Sequence, residues 1–406
     1  MLVTTMKVTA NITQRRSKMS KLEKLINELC PDGVEYRNLE KCCNILDNKR
    51  KPVTKSSRQT GEYPYYGANG IQDYVSDYIF DGRFVLVGED GSVLTKNGTP
   101  VVTWAEGKIW VNNHAHIISE INGISIRYLF HYLQTVNITP LIRGNIPKLT
   151  GKDFKAIQIP LPPLPVQEEI VRILDTFTEL TTELTTELTM RKQQYEYYRD
   201  SFFKNNIPNR KLKDIVDIYL GLTYKPTYVE NGIKFISSQN ISNDYLDLSN
   251  IKYISQEEYN KTTQNAKPKR GDILFTRVGS NLGHPVIVDV DFELCIFVSL
   301  GYLRIRDEKQ ILNSYIKYWM NTELFWEQVR KNVHGSAKVN LNTGWLKEFD
   351  IFIPPLEEQQ HIVDILDRFD TLVNDIKTGL PVEIEARKQQ YEYYRDKLLT
   401  FKKLEK

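Results

Sequence analysis

Asp90, with Glu106-Gly107-Lys108 downstream, has the acid…Glu-x-Lys form that holds a divalent ion in metal-dependent nucleases. The second half of the chain has Arg270-Gly271-Asp272 near the corresponding place, but no Glu-x-Lys follows it, so the pattern is not repeated. His114-Ala115-His116 would put two imidazoles on one face of a strand. With no third ligand at an obvious spacing, packing or hydrogen bonding fits that pair better than metal ligation. No GxxxxGK[ST] loop is present for ATP. Pro162-Pro163-Leu164 and Pro354-Pro355-Leu356 lack the preceding Asn or Asp and the following aromatic of a DNA-methylating motif. No catalytic residue and no metal site are therefore expected.

The residues left are those that contact polyanions. Lys49, Arg50, Lys51, Lys55 and Arg58 cluster just before Tyr65, Tyr66 and Asn69. In the second half, Gln239 and Asn240 precede Lys267, Lys269, Arg270 and Arg277, with Ser280 and Asn281 in a glycine-flanked turn. A third group comprises Arg143, Asn145 and Lys148 in the first half and His334, Ser336, Lys338 and Asn340 in the second. Basic side chains neutralise phosphates, whereas Asn, Gln, Ser and Arg can read base edges. For any single residue a solvated basic loop is the competing explanation.

The elements that must position these groups come in duplicate. Arg191-Lys192-Gln193-Gln194-Tyr195-Glu196-Tyr197-Tyr198-Arg199-Asp200 recurs identically at Arg387 through Asp396. Ile173-Leu174-Asp175-Thr176-Phe177 is echoed by Ile365-Leu366-Asp367-Arg368-Phe369. Weaker echoes link Tyr36–Glu40 to Asn209–Lys213, Pro64–Ile71 to Lys234–Ile241, and Phe84–Gly88 to Ile273–Arg277. Such repetition sets the architecture before any local reading. The expected layout is an N-terminal disordered extension (1–19), a variable domain (20–158), a central helical block (159–206), a second variable domain (207–350) and a C-terminal helical block (351–406). The domains read as α+β. Short apolar runs such as Phe84–Val87, Ile109–Val111, Ile273–Phe275 and Leu294–Val298 suggest strands, and Ser125–Leu133 and Asn313–Val329 suggest helices.

Each helical block opens with a proline pair and carries an apolar stripe. In the first block the stripe is Ile170, Leu174, Phe177, Leu180, Leu184, Leu188, Tyr195, Tyr198 and Phe202; in the second it is Ile362, Leu366, Phe369, Leu372, Ile376, Tyr391 and Tyr394. Gly379-Leu380-Pro381 should interrupt the second block. The two stripes can bury each other as an intramolecular coiled coil, or each can pack on its own domain. Three copies of Thr-Glu-Leu-Thr fill residues 178–189. Each adds about 6 Å of helix, and the rod from Gln167 to Tyr195 spans roughly 40 Å. That is close to the ~34–36 Å between major-groove sites one DNA turn apart, so the rod can act as a spacing gauge.

Charge agrees with this division. The chain of 406 residues has a net charge of +3, but residues 165–190 carry −5 and residues 357–386 carry −6, which leaves +14 on the remainder. Basic domains on acidic connectors suit a polyanion binder, although acidic residues are also common on solvated helix faces. Four cysteines without a CxxC pair, no signal-like N-terminus and no long apolar run point to a cytoplasmic protein.

Two variable segments separated by near-identical helical blocks resemble the specificity subunits of type I restriction–modification enzymes. The Thr-Glu-Leu repeats and the Arg191–Asp200 motif are similar to the subgroup with tetrapeptides in the central block. Tyr65–Ile71, Val111–His116, Pro147–Thr150 and Pro162–Leu164 extend the likeness over everything after about residue 20. The second block departs from the first: it lacks the tetrapeptides and is four residues longer between its Pro-Pro-Leu and Arg-Lys-Gln-Gln motifs. The resemblance implies two α/β target-recognition domains related by a pseudo-twofold and joined by two long antiparallel coiled-coil helices. Each domain would read half of a bipartite double-stranded DNA site. Two methyltransferase subunits, and then restriction–translocase subunits, would bind S-adenosylmethionine, ATP and Mg²⁺, none of them held by this chain. The alternatives are a partner-docking protein without specific DNA readout and the metal-dependent nuclease.

Overall fold

The computed structural model describes residues 21–91, 93–142, 144–204, 206–241, 244–262, 264–279, 281–332, 340–374 and 379–405. The expected 1–19 extension lies outside the described residues. The chain divides into two compact units, one running to Leu184 and resuming at Ile384, the other spanning Thr185–Glu383.

In the first unit a helix α1 (residues 21–29) leads into β1 (Glu35–Asn38). The main sheet holds β2 (Asn44–Ile45), β3 (Thr60–Gly67), β4 (Gly70–Val75), β5 (Phe80–Gly88), β6 (Val102–Val111) and β7 (Ala115–Ser119), ordered β2-β7-β5-β6-β3-β4. Only the β3–β6 pairing is parallel. The run Phe84-Val85-Leu86-Val87 is buried throughout because β5 is covered on both faces. Val85 and Val87 enter one core and Phe84 and Leu86 the opposite one, as the two-residue strand period requires. Helix α2 (Ile126–Leu133) packs its apolar face into the first of these cores, and the Ser125 hydroxyl caps it by accepting the Tyr128 amide. A short helix α3 (Gly151–Lys155) precedes β8 (Gln158–Leu161), which pairs with β1.

The second unit repeats this plan with two four-stranded sheets. In it β9 (Arg210–Lys211) is followed by α5 (Leu212–Ile215), β10 (Val216–Leu220), β11 (Tyr228–Val229), β12 (Ile233–Ile236), β13 (Lys252–Ile254), α6 (Gln256–Lys261), β14 (Ile273–Thr276), β15 (Pro285–Ile287), β16 (Leu294–Ile296) and β17 (Leu300–Ile305). Helices α7 (Asn313–Met320), α8 (Glu323–Asn332) and α9 (Thr343–Lys347) lead to β18 (Asp350–Ile351), which pairs with β9. The sheets are ordered β10-β17-β14-β15 and β11-β13-β12-β16. Strand β14 is two-sided like β5: Ile273 and Phe275 face one core and Leu274 the other.

Equivalent contacts test the weaker sequence echoes. Leu39 N–H donates to the Ile157 carbonyl, and Leu212 N–H to that of Phe349, which matches Tyr36–Glu40 with Asn209–Lys213. Tyr65 and Tyr66 pair in parallel with Trp110 and Val111 as Phe235 and Ile236 do with Cys295 and Ile296, so that echo also holds. The third is displaced by one residue. Glu89 N–H bonds the His114 carbonyl where Arg277 N–H bonds that of Ser299, so Arg277 corresponds to Glu89 rather than Gly88. A one-residue slip exchanges the two faces of a strand, and because both are apolar here the sequence carried no signal against it.

The helical blocks are α4 (Leu164–Lys204), a single helix of 41 residues and about 60 Å, and α10 (Leu356–Asn374) with α11 (Leu380–Leu398). The second block restarts at Leu380-Pro381, as the proline requires. Each unit joins the opening half of one block to the closing half of the other, as antiparallel pairing demands. In the first unit Phe177 stacks on Tyr394 at 5.3 Å, and in the second Phe369 stacks on Tyr198 at 5.7 Å; these are the same repeat positions. Tyr195 also meets Phe369, and Tyr391 packs against the first unit's core. Ile170, Leu174, Ile362 and Leu366 are buried in their own units' cores, so both packing modes coexist. Leu184 and Leu188 are half-buried. Leu372 is exposed, contrary to the expected stripe, and Val373 is buried instead. The spacing 362–366–369–373 follows 3.6 residues per turn, and 372 falls off it. Ile376 lies outside the described residues.

Both junctions between domain and block are built alike. Tyr128 Oη donates to the Pro160 carbonyl and Tyr315 Oη to that of Phe352, each at 2.9 Å. Buried Gln167 accepts from Ser125 N–H and donates to the Pro162 carbonyl; Gln359 does the same with Leu312 and Pro354. These amides satisfy backbone groups at the proline-led helix start, where an N–H is missing by construction.

Candidate nucleic-acid interface

Backbone bonds gather four loop ends at one edge of each unit's sheets. In the first unit these are the turn after β3 with Asn69, the Glu89-Asp90 end of β5, the Asn112-Asn113-His114 turn and the segment through Lys148. Asn112 N–H bonds the Tyr66 carbonyl, Glu89 N–H that of His114, and Leu149 N–H that of Glu89; Asp90 and Lys148 form a β-bridge. In the second unit Phe297 N–H bonds Ile236, Arg277 N–H bonds Ser299, and Leu341 N–H bonds Arg277, with a bridge between Val278 and Asn340. Lys148 and Asn340 of the third group thus lie beside the β5 and β14 ends, respectively.

The two ends differ in charge. In the first unit Arg50 contacts Glu89 at 2.7 Å and Asp47 at 3.7 Å, and donates to the Ala115 carbonyl at 2.6 Å; its side chain is only 12% exposed. Lys148 reaches Glu89 at 3.3 Å and Asp90 at 3.9 Å. His116 bonds Asp47 at 2.7 Å and the Leu149 carbonyl at 3.0 Å, with its ring stacked on Phe154. Burial pushes the Asp47 carboxyl up, but the hydrogen bond and charge of His116, the Ile117 amide and Arg50 hold it below the usual carboxylate range. Ligand atoms of Asp47, Glu89 and His116 lie within 4.8 Å of one another, a spacing that could hold a cation. The two carboxylates are already neutralised by Arg50 and Lys148, so the donor set fits an internal ion-pair knot better than a metal. His114 pairs separately with Asp90 at 2.5 Å.

Several expected contact residues prove to be internal. Arg50 serves this knot. Arg58 lies over the Tyr65 ring at 4.1 Å and pairs with Asp73. Tyr65 and Tyr66 are buried, and the Tyr65 hydroxyl bonds Val53. Asn240 is buried and caps its own turn through Ser237 and Asp247. These residues share a cause: an aromatic or amide next to a strand end is as useful for closing the loop as for touching a ligand. Lys49, Lys51, Lys55, Asn69, Asn145, Gln239, Lys269, Asn281 and Asn340 are exposed. Lys267 lies over the Tyr259 ring and Arg270 pairs with Asp291. Arg143, Ser280, His334, Ser336 and Lys338 lie outside the described residues. Exposed Asn113 and His114 join the first unit's edge, although neither was expected there. Their signal was the turn between two apolar runs.

The nuclease constellation does not assemble. Glu106 stands opposite Arg83 in the β5–β6 ladder, while Asp90 lies beyond the far end of β5. Seven residues of extended strand separate the two by about 20 Å, so they cannot share an ion.

A family model described as the type I restriction modification DNA specificity domain matches residues 31–191 and again 204–386. The chain belongs to the type I restriction specificity-subunit family. A relative from Haemophilus influenzae, assigned as such a specificity subunit, is 38% identical and covers 94% of this chain and 98% of its own length. The specificity subunit of EcoR124I/EcoR124II from Escherichia coli is 33% identical, with coverage of 96% and 99%. The crystal structure of the S subunit from M. genitalium shares the fold at TM-score 0.55 and 13% identity, covering 90% of this chain and 96% of that one. A chain from a structure of type I restriction–modification complex assembly gives TM-score 0.54 at 19% identity, covering 91% and 98%. The doubled family match coincides with the doubled loop edge of this specificity subunit. Among the described residues no helix is long and apolar enough to cross a membrane.

Proposed function

We propose that each unit reads one half of a gapped, bipartite double-stranded DNA site through its four-loop edge, and that the chain catalyses nothing itself. The observation that carries this reading is one backbone constellation built twice, with different side chains at equivalent positions: Glu89 against Arg277, Asp90 against Val278, Lys148 against Asn340. A shared scaffold with divergent tips suits two different half-sites. Phosphates would be met by Lys49, Lys51, Lys55 and Lys269, and base edges by Asn69, Asn145, Gln239, Asn281 and Asn340.

The helical blocks would set the half-site spacing and dock partners. Tyr197 and Tyr393, equivalent members of the identical decapeptides, are 71% and 62% exposed. Two identical outward faces suit two copies of one partner, the methyltransferase subunit, with the restriction–translocase subunits joining that complex. S-adenosylmethionine, ATP and Mg²⁺ would belong to those partners. The test is selection of randomised duplexes by the chain together with its methyltransferase partner. A motif of two short defined halves around a fixed gap is expected; recovery of no gapped motif would refute the reading and favour partner docking alone.

A further inference from the structure

Among the described residues, two buried side-chain atoms lack any hydrogen-bond partner, and they are neighbours: Thr276 Oγ1 and Arg277 Nε. Both sit where β14 runs into the second unit's loop edge. Arg277 is half-buried, and its Nη1 is pinned by the Val298 carbonyl at 3.0 Å. Among the described residues no carboxylate pairs with it. Burial alone pushes this guanidinium's pKa down, with no acid acting in the opposite direction. Other arginines near the two loop edges are paired: Arg50 has Glu89 and Asp47, Arg58 has Asp73, and Arg270 has Asp291.

A partly buried cation without a counter-charge is costly to a free protein and is retained where a ligand supplies the missing acceptor. The first unit is built differently at this place. The position equivalent to Arg277 is Glu89, which is neutralised inside its own unit by Arg50 and Lys148. One edge is therefore electrostatically closed and the other is left open.

We infer that Arg277 is a DNA-contacting, specificity-determining residue of the second unit, and that the edge of its guanidinium not held by Val298 donates to a pair of coplanar acceptors on the duplex. Nη1 is held and Nε is buried in the free chain, so the Nε–Nη2 fork, which matches guanine O6/N7 or two oxygens of one phosphate, is presented once the side chain turns outward on binding. This rests on the reading that the loop edges face DNA. Glu89 cannot make such a contact, so the two half-sites are read by different chemistry at the same place in the fold.

The test uses the full chain with its methyltransferase partner, the duplex motif selected by the wild type, and two variants, Arg277→Met and Arg277→Lys. Arg277→Met should weaken binding roughly 5- to 150-fold, equivalent to about 1–3 kcal/mol for one bidentate contact. Arg277→Lys should not restore it, because a lysine lacks the planar fork. If the acceptor is guanine, repeated selection loses its preference at one position of one half-site. If it is a phosphate, the motif is kept and the salt slope falls by about one. Either outcome supports the assignment. The free chain should keep or raise its melting temperature in Arg277→Met, since an unpaired buried charge has been removed. The assignment is overturned by wild-type affinity and motif in Arg277→Met, or by a drop in melting temperature, which would mark a structural arginine. If the wild type itself selected no gapped motif, the DNA reading would fall as well.

Discussion

Deleting Thr182–Thr185 removes one tetrapeptide copy from the middle of α4, next to the boundary between the two compact units at Leu184/Thr185. Four residues shorten the helix by about 6 Å and turn its C-terminal half by about 40°. One base-pair step of B-form DNA turns by roughly 34–36° and rises about 3.4 Å. The rotation therefore matches a single step, while the length change lies between one and two steps. The deletion leaves the helix intact, because it joins one tetrapeptide copy directly to the next, so that Thr181 is followed by Thr186 in place of the identical Thr182. It also spares the aromatic contacts Phe177–Tyr394 and Tyr198–Phe369 on either side of it. Selection from randomised duplexes should return both half-sites unchanged with the gap shortened by one base pair. A gap of unaltered length would refute the spacing role, and a changed half-site would show that the deletion disturbs a recognition unit instead.

Exchanging residues 207–350 for the corresponding segment of another family member should replace one half-site and keep the other, as read by the same selection. Arg50→Ala should destabilise the first unit by up to about 3–5 kcal/mol, because it leaves Glu89 and Asp47 with less counter-charge in a mostly buried knot. Lys49→Ala, at an exposed neighbour, should leave stability unchanged and lower the salt slope of DNA binding by about one; denaturation and salt titration separate the two. Acid should weaken the first unit through His131. Burial holds this imidazole's pKa below its ordinary value, while its Nε2 bonds Asp175 at 2.8 Å and its Nδ1 meets the Tyr391 hydroxyl at 2.9 Å. The unfolded chain binds the proton more readily, so stability present above about pH 6.5 should fall as the pH drops below that value. His131→Gln should flatten this slope in urea titrations at pH 7 and 5, and an unchanged slope would exclude His131 as its source.

The organisation of this chain was legible in its sequence because duplication leaves two records of one design. The identical decapeptides, the proline-led helix starts and the apolar stripe are local patterns, and a helix displays its packing face in its own spacing. Strand register was not legible. Phe84–Val87 and Ile273–Phe275 are apolar on both faces, so a shift of one residue changed nothing in the pattern. The site was legible only as a set of cationic and amide residues. Whether a guanidinium is paired with a carboxylate depends on side chains distant in sequence: Glu89 lies 39 residues from Arg50, and among the described residues Arg277 Nε has no hydrogen-bond partner. Tertiary structure decided which charges were consumed in holding loops together and which were left without a counter-charge among the described residues, because burial and counter-charge are properties of the assembled edge and not of any segment.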